Sequence, residues 1–188
     1  MVGADGLGRC AWAGSTPDYL DYHDHEWGTP VHGETPLFER LTLEAFQSGL
    51  SWLTILRKRP AFRDAFAGFD ADVVAQYDEG DVARLMADAG IVRNRLKIRA
   101  AITNAAAVQR LRAAGGLDEV LWSFAPTDHT PPATLADVPA TTPASAALAR
   151  TLKGHGFVFV GPTTMYAAMQ ACGVVDDHLR GCHRSTNR

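Results

Sequence analysis

The sequence predicts an all-α protein, and three observations support this prediction. Ser or Thr residues followed by Pro or by an apolar run, the pattern that begins helices, recur along the chain. Apolar residues return every three to four positions over long stretches, as they do on one face of a helix. Strand-like runs are few, strands do not alternate with helices, and no segment is repeated.

Five helices are predicted in the first half of the chain from caps and helix breakers. The first three each begin at a Ser or Thr cap and end at a glycine or proline; their limits are Thr16 and Gly28, Thr35 and Gly49, and Ser51 and Pro60. Two short helices, 70–79 and 81–89, follow and are separated at Gly80.

The second half predicts four more helices around one long connection. The longest periodic stretch is 93–114, which two glycines end; the others are 145–153, 162–172 and a last helix from Asp176. The apolar residues 157–160 are only four and lie between two glycines, so they are interpreted as a hairpin connection between two helices. The proline-rich stretch 125–143 predicts an exposed loop, a crossover between lobes.

Size and composition indicate a small globular protein. The chain has 188 residues, of which 46% are hydrophobic and 21% charged, which excludes collagen-like, disordered and coiled-coil classes. We expect a flexible tail over 1–9 and one domain over 10–188, built as one body or as two helical lobes with a pocket between them. No apolar run reaches the ~20 residues of a membrane span. Three cysteines, an odd number, indicate a reducing compartment, so a cytoplasmic location without membrane contact is expected.

The net charge of −3 hides an uneven distribution. Residues 1–90 contain 15 acidic and 7 basic residues, whereas residues 91–188 contain 6 acidic and 11 basic residues. The C-terminal half can therefore present a basic face to a polyanion, although ordinary surface chemistry explains the imbalance equally well.

Cysteine and histidine residues near the two chain ends form a candidate metal site. Cys10 and His23 lie near the N-terminus, and His178 and Cys182 are four residues apart, which places them on one face of the predicted last helix. Two thiolates and two imidazoles form a closed tetrahedral set that suits a structural zinc ion. Spacing alone leaves the assignment open, because other histidines compete for these roles: His25, His32 and His183.

Aromatic residues and one carboxylate in the first 52 residues predict a ligand pocket. Glu44 lies on the apolar stripe of its helix, where a carboxylate is costly unless it binds something. The aromatic residues of this region can form walls that stack on a flat, cationic nitrogen heterocycle; they are Trp12, Tyr19, Tyr22, Trp27 and Trp52. The alternative is that each tryptophan is a core residue and that Glu44 lies at the wet edge of its stripe.

A third candidate site is the start of the helix at 162. Backbone amides there can hold a DNA phosphate, and Gly161 allows a close approach. A single glycine before a helix is usually only a turn.

Taken together, these residues resemble the 3-methyladenine DNA glycosylase I family of helix-hairpin-helix glycosylases. The matching blocks extend over nearly the whole chain, from Arg9 to about Cys182. They are Arg9-Cys-Ala-Trp12, Tyr22-His-Asp-His-Glu-Trp-Gly28, Leu43-Glu-Ala-Phe-Gln-Ser-Gly-Leu-Ser-Trp52, Gly90-Ile91, Gly156-Phe-Val-Phe-Val-Gly-Pro-Thr-Thr164 and Met169-Gln-Ala-Cys-Gly173 through Asp177-His178.

The resemblance implies a role for most of these residues. It implies one structural zinc held by Cys10, His23, His178 and Cys182, which ties the two chain ends together. Glu44 and Tyr22 are implied as the catalytic pair that hydrogen-bonds the methylated base. The implied base-binding residues are Trp52, which stacks on the base, Trp12, Trp27 and Gln47. The implied DNA-binding residues are Gly49 and Leu50, which enter the DNA gap, and Gly161, Thr163 and Thr164 at the hairpin.

One residue departs from the family pattern. Asp176 stands where the family usually has Asn, two residues before the zinc-ligand histidine. The residue is interpreted as a cap of the last helix rather than as a catalytic carboxylate.

The resemblance implies a monomeric DNA repair enzyme without a Schiff base. It hydrolyses the N-glycosidic bond of 3-methyladenine in double-stranded alkylated DNA by base flipping and releases the free base. One alternative is a zinc-stabilised helical DNA-binding module without catalysis. Another is a zinc hydrolase, although a closed four-ligand site opposes it.

Overall fold

The computed structural model describes residues 1–185 and contains nine α-helices and no strand within that range. The helices are α1 Pro17–His25, α2 Glu34–Gln47, α3 Trp52–Ala65, α4 Ala71–Val74, α5 Glu79–Ala87, α6 Arg95–Leu111, α7 Gly116–Trp122, α8 Pro143–Gly154 and α9 Pro162–Ala171. Short 3-10 turns lie at Ala11–Ser15, Ala67–Phe69, Arg112–Ala114 and Leu135–Asp137. The all-α prediction is confirmed.

Two of the three predicted side-chain caps in the first half of the chain begin helices where the sequence indicates. The Thr16 hydroxyl accepts a hydrogen bond from the Tyr19 amide at the start of α1, and Ser51 accepts from Thr54 at the start of α3. The predicted cap Thr35 instead lies inside α2, which begins after Gly33 without a side-chain cap, whereas Thr142, three residues before the predicted start, caps α8 through the amide of Ser145. Each cap provides a partner for one of the amide groups that a helix leaves unpaired at its start.

The predicted stop of α3 at Pro60 is wrong. The helix continues through Pro60 to Ala65, and both Phe62 and Phe66 beyond it are fully buried. A proline removes one backbone hydrogen bond from a helix interior. Burial of two phenylalanine side chains, ~2 kcal/mol or more each, outweighs that loss.

The predicted break at Gly80 is also wrong. Gly80 lies inside α5, whose cap is Asp78, and α4 ends earlier at Val74. The Asp78 carboxylate accepts from the amides of Gly80 and Asp81, and the Asp81 side chain accepts from the Asp78 amide in return. This reciprocal capping box fixes the helix start more strongly than one glycine opposes it.

The predicted last helix does not form within the described part of the chain. Residues 172–185 contain no helix, and the Asp176 carboxylate accepts instead from the His178 amide two residues on. Asp176 therefore closes a local turn rather than capping a helix. The 125–143 connection is irregular as predicted, except for the short turn Leu135–Asp137.

The N-terminal segment returns on itself. Val2 and Gly8 form an antiparallel bridge, and the Met1 ammonium group donates to the Arg9 carbonyl over 2.6 Å. Arg9 is buried, and its guanidinium donates to the carboxylates of Asp5 and Asp24. Residues 1–9, treated above as a tail, are thus joined to α1 through the ion pair of Arg9 with Asp24.

Helix α2 contributes residues both to the hydrophobic core and to the surroundings of the N-terminal aromatic residues. Phe38 and Phe46 of α2 are fully buried, and Phe46 packs edge-on against Phe62 of α3 with ring centroids 4.8 Å apart. The core also includes α6, α8 and α9. Across residues 1–185, no helix is both long enough and apolar enough to span a membrane.

Candidate active site and metal centre

A cavity of about 490 Å³ lies where the sequence analysis predicts the ligand pocket. Helices α1, α2, α3 and α9, the 3-10 turn before α1 and the 125–143 connection provide its lining. The lining residues are Trp12, Tyr19, Tyr22, Trp27, Glu44, Gln47, Trp52, Leu135, Val138, Ala167, Gln170 and Asp177. The structure therefore brings all six residues predicted to contact a base into one cavity.

Aromatic rings form the walls of this cavity through mutual contacts. Trp12 packs edge-on against Trp27 with centroids 5.2 Å apart, and Tyr22 lies 5.6 Å from Trp52. The Tyr19 hydroxyl accepts from the Leu53 amide, which links α1 to the first turn of α3. These rings hold one another in place, so the cavity presents flat apolar faces without a ligand.

Glu44 is the buried acceptor of the cavity. Its side chain has no hydrogen-bond partner among residues 1–185, and only 6% of the residue is exposed. Burial raises the pKa of Glu44 to about 8, against the opposing effect of the Arg40 charge. A largely buried carboxylate without a hydrogen-bond partner is stabilised by a ligand that brings a donor or a positive charge.

Arg40 is one turn from Glu44 on α2 but is engaged elsewhere. It donates to Glu26 over 2.6 Å, and Arg59 of α3 makes two further 2.6 Å hydrogen bonds to the same carboxylate. Burial opposes ionisation of Glu26, but the two guanidinium groups hold its pKa at about 2. The charge of Arg40 is thus balanced by Glu26, and Glu44 is left without a direct ion pair.

A second carboxylate lines the cavity, and the sequence analysis did not single it out. Asp177 is buried and accepts from the Tyr166 hydroxyl and from Gln170, each over 2.6 Å. His129, from the 125–143 connection, lies 3.1 Å from its other oxygen. The sequence signal for Asp177 is its place beside His178, whereas the neighbouring Asp176, which departs from the family pattern, does not line the cavity.

Part of the 125–143 connection belongs to the site, which the sequence analysis also did not identify. Leu135 and Val138 line the cavity, and His129 reaches the carbonyl of Asp176 over 2.9 Å. The Arg180 amide donates to the carbonyl of Pro132, which is buried. The connection is therefore hydrogen-bonded along the segment that follows α9.

Four side chains from the two chain ends converge on one point. The potential ligand atoms of Cys10, His23, His178 and Cys182 all lie within 4.8 Å of one another, and all four residues are buried. The Cys182 sulfur is 3.4 Å from His23 Nε2 and 3.6 Å from His178 Nδ1. Tetrahedral zinc with two sulfur and two nitrogen ligands gives edges of about 3.3–3.8 Å, so the donor set and these two distances fit this ion.

In both cluster histidines, the ring nitrogen that faces away from the cluster lies near a hydrogen-bond acceptor. His23 Nδ1 lies 2.7 Å from the Asp24 carboxylate, which Arg9 also binds, and His178 Nε2 lies 3.1 Å from the Trp27 carbonyl. Such outer contacts orient metal-binding imidazoles and fix their tautomers. Of the competing histidines, His25 and His32 pair with surface aspartates away from the cluster. His183 lies beside the cluster, with its ring centroid 5.9 Å from that of His23, but its Nδ1 is against the Gly8 carbonyl.

The residues predicted to contact DNA form two turns. In the first turn, Gly49 has a φ of +82° and Leu50 is 39% exposed. The side-chain amide of Gln47 donates to the Leu50 carbonyl over 2.8 Å and stabilises this turn. At the second turn, Gly161 precedes α9, and no side chain caps its first amides. Thr163 is exposed and Thr164 partly exposed in that first turn.

The all-helical fold thus holds a buried carboxylate among aromatic rings that meet edge-on or at a tilt, an arrangement suited to a flat heterocycle. The sequence profile of the methyladenine glycosylase family matches residues 12–185. The chain therefore belongs to the methyladenine glycosylase family, and the resemblance identified from its motifs is confirmed.

Individual relatives agree with this assignment over nearly their full length. DNA-3-methyladenine glycosylase 1 of Escherichia coli K12 is 46% identical, with 93% of this chain and 95% of the relative covered. The DNA-3-methyladenine glycosylase of Haemophilus influenzae is 42% identical, with 95% and 98% covered. A crystal structure of a 3-methyladenine DNA glycosylase I superposes with a TM-score of 0.90 at 45% identity, covering 95% of this chain and all of that one. A variant of such an enzyme, solved in complex with 3-methyladenine, gives 0.87 at 35% identity, with 93% and 96% covered.

Proposed function

We propose that the protein is a DNA repair enzyme that excises 3-methyladenine from alkylated DNA. The observation that carries the proposal is the unpartnered Glu44 carboxylate inside a cavity walled by tryptophan and tyrosine rings. Family membership and the names of the relatives support the same reaction. The partners are double-stranded alkylated DNA and the released base, and the protein acts as a monomer.

The cavity is suited to a positively charged purine. Methylation at N3 gives the adenine of the nucleotide a positive charge, which attracts it to the faces of Trp52, Trp12 and Trp27. Glu44 accepts a hydrogen bond from the exocyclic amine, and Tyr22 lies beside it on the cavity wall. Asp177 adds a second carboxylate, so the cavity favours a cationic base over neutral adenine.

The reaction needs few chemical groups because the charged purine is a good leaving group. Flipping the nucleotide places the base among the aromatic rings and away from the DNA stack. Binding energy directed at the departing base and at the cationic sugar lowers the barrier to attack by water. No lysine lines the cavity within the described residues, and Lys97 is hydrogen-bonded to backbone carbonyls, which supports hydrolysis without a Schiff base.

A structural zinc ion is the best occupant of the four-residue cluster. Cys10 and His23 would hold it from the N-terminal side, and His178 and Cys182 from the segment after α9. When bound, the ion supplies a cross-link between the chain ends. With four protein ligands, no coordination position remains for water. The zinc hydrolase alternative is therefore not favoured.

Two turns would hold the DNA, and the one at Gly161 would be the hairpin of a helix-hairpin-helix motif. Leu50, at the tip of the turn after α2, enters the space that the flipped nucleotide leaves, and Gly49 allows the turn its left-handed backbone. Gly161, Thr163 and Thr164 present backbone amides at the start of α9 to a phosphate.

Replacing Leu50 with Ala is expected to lower excision from duplex DNA about tenfold, because the variant no longer fills the gap in the stack. Binding of free 3-methyladenine is expected to stay unchanged, because Leu50 does not line the cavity. Single-turnover excision and fluorescence titration measure the two quantities. Leu96→Ala is the matched control, since Leu96 is 69% exposed and lies at the start of α6. An equal loss in both variants would contradict the role of Leu50.

The proposed function is tested by chromatography of bases released from alkylated duplex DNA, with the wild type and Glu44→Ala compared. The wild type is expected to release 3-methyladenine, and Glu44→Ala is expected to release far less. A DNA-binding module would release none and would lose little DNA affinity in Glu44→Ala. That result would favour the alternative.

A further inference from the structure

Helix α6 contacts both of the turns proposed to bind DNA, although it contributes no residue to the cavity. Its first contact is Lys97, which is buried apart from 8% of its surface. The Lys97 ammonium group donates to the carbonyl of Phe46 over 2.9 Å and to that of Ser48 over 2.6 Å. These carbonyls lie at the end of α2, where a helix leaves acceptors unpaired and where a positive charge is favourable.

The second contact is Asn104, which is 3% exposed. Its side-chain amide donates to the Val158 carbonyl over 3.0 Å, and its oxygen accepts from the Val158 amide over 2.8 Å. Val158 lies in the hairpin between α8 and α9, beside Phe159, whose φ of +56° is unusual for a residue with a side chain. Asn104 thus pairs with the backbone of the hairpin as a neighbouring strand would.

The two contacts share one face of α6. Lys97 and Asn104 are seven residues apart, which amounts to two turns, so their side chains project in nearly the same direction at about 10 Å separation. The turn after α2 and the hairpin before α9 otherwise belong to separate parts of the sequence. In each turn, the atoms that bond to α6 are backbone atoms. These hydrogen bonds therefore do not depend on which side chains the turn residues carry.

We infer that Lys97 and Asn104 are positioning residues that make α6 a spacer between the two DNA-binding turns. The helix sets the distance between the residue that enters the DNA gap and the amides that hold the phosphate. Both turns must engage one DNA strand at once, so loosening either contact costs DNA affinity. This inference rests on the proposed function, because it assigns the two turns to DNA.

The test compares two affinities in Lys97→Met and Asn104→Leu, which keep side-chain volume but remove the hydrogen bonds. DNA affinity is measured with a duplex that carries a tetrahydrofuran abasic site, and cavity integrity with free 3-methyladenine by tryptophan fluorescence. Each variant is expected to bind the duplex at least ~10-fold more weakly, the loss expected for such hydrogen bonds. Free-base affinity is expected to stay within about twofold of the wild type, since neither residue lines the cavity.

Matched controls are available for both variants. Lys58→Met removes another ammonium group that donates to two carbonyls, those of Ala89 and Gly90, far from both turns in sequence. Gln109→Leu removes a side-chain amide of α6 that donates to Asp72. Both controls are expected to bind the duplex like the wild type.

Two outcomes overturn the inference. Unchanged duplex affinity in Lys97→Met and Asn104→Leu shows that the contacts do not position the turns. An equal loss of duplex and free-base affinity shows that the residues act only through general stability. Failure of the proposed function is recognised separately, because the wild type would then release no 3-methyladenine from alkylated DNA.

Discussion

Glu44→Gln is expected to lower the excision rate about 10- to 100-fold, the loss expected when a desolvated carboxylate no longer binds a charged base. The substitution keeps the size of the side chain and removes its charge. Single-turnover excision at saturating enzyme measures the effect. Glu39→Gln on the same helix is the control, since Glu39 pairs with Arg63 and does not line the cavity. Equal rates for Glu44→Gln and the wild type would contradict the role of Glu44.

The same substitution is expected to stabilise the protein without ligand at pH 8. The pKa of Glu44 is about 8 in the folded protein and near 4.5 in the unfolded chain, so the folded state holds the proton more tightly between these values. This residue therefore makes stability fall as the pH rises from about 4.5 to 8. Glutamine removes that penalty, so the melting temperature of the variant should be several degrees higher than that of the wild type at pH 8. Each kcal/mol of stability corresponds to roughly 2–4 °C in melting temperature for a chain of this size. At pH 5 the variant should show little gain.

Ionisation of Glu44 also predicts a pH dependence of the reaction. The carboxylate form binds the cationic base, so wild-type excision should increase as the pH rises towards 8. In Glu44→Gln this dependence should disappear. A thermal gain together with a loss of activity would show that the protein maintains Glu44 for function at the expense of stability.

Loss of the metal centre has the second large expected effect, on stability. Cys10→Ser is expected to abolish stoichiometric zinc and to lower the melting temperature by more than about 10 °C, because the free energy of zinc binding becomes folding free energy. Metal analysis and thermal denaturation of the purified protein measure both quantities. Cys172→Ala is the control, since Cys172 is equally buried but lies outside the cluster.

Retention of one zinc ion per chain in Cys10→Ser would show the ligand assignment to be wrong. Absence of zinc from the wild type, with normal stability, would contradict the metal centre itself. In either case the excision reaction would remain a separate question, because Cys10 does not line the cavity.

Local signals in the sequence predict helices well where capping and packing agree. Thr16 and Ser51 begin helices as expected because a capping side chain acts within three residues, whereas the predicted cap Thr35 lies inside α2. Pro60 and Gly80 mislead because the stabilising interactions are less local. Burial of phenylalanine side chains stabilises the part of α3 that follows Pro60, and the capping box at Asp78 begins α5 before Gly80.

In the metal cluster and the cavity, too, local sequence signals do not predict contacts between residues that are distant in the sequence. His178 and Cys182 converge as predicted, but in an irregular segment rather than on a helix face, because contacts with the N-terminal segment hold them. Asp177 and the cavity residues Leu135 and Val138 could not be identified from periodicity. Their positions depend on how the 125–143 connection packs against the segment after α9.

The most direct test of the account is the release of 3-methyladenine from alkylated duplex DNA by the purified wild-type protein, followed over time by chromatography. Free 3-methyladenine is expected to accumulate beyond one equivalent of enzyme, unmodified adenine is not expected to be released, and Glu44→Gln is expected to slow the release. Tight binding of the alkylated duplex without release of any methylated base would contradict it.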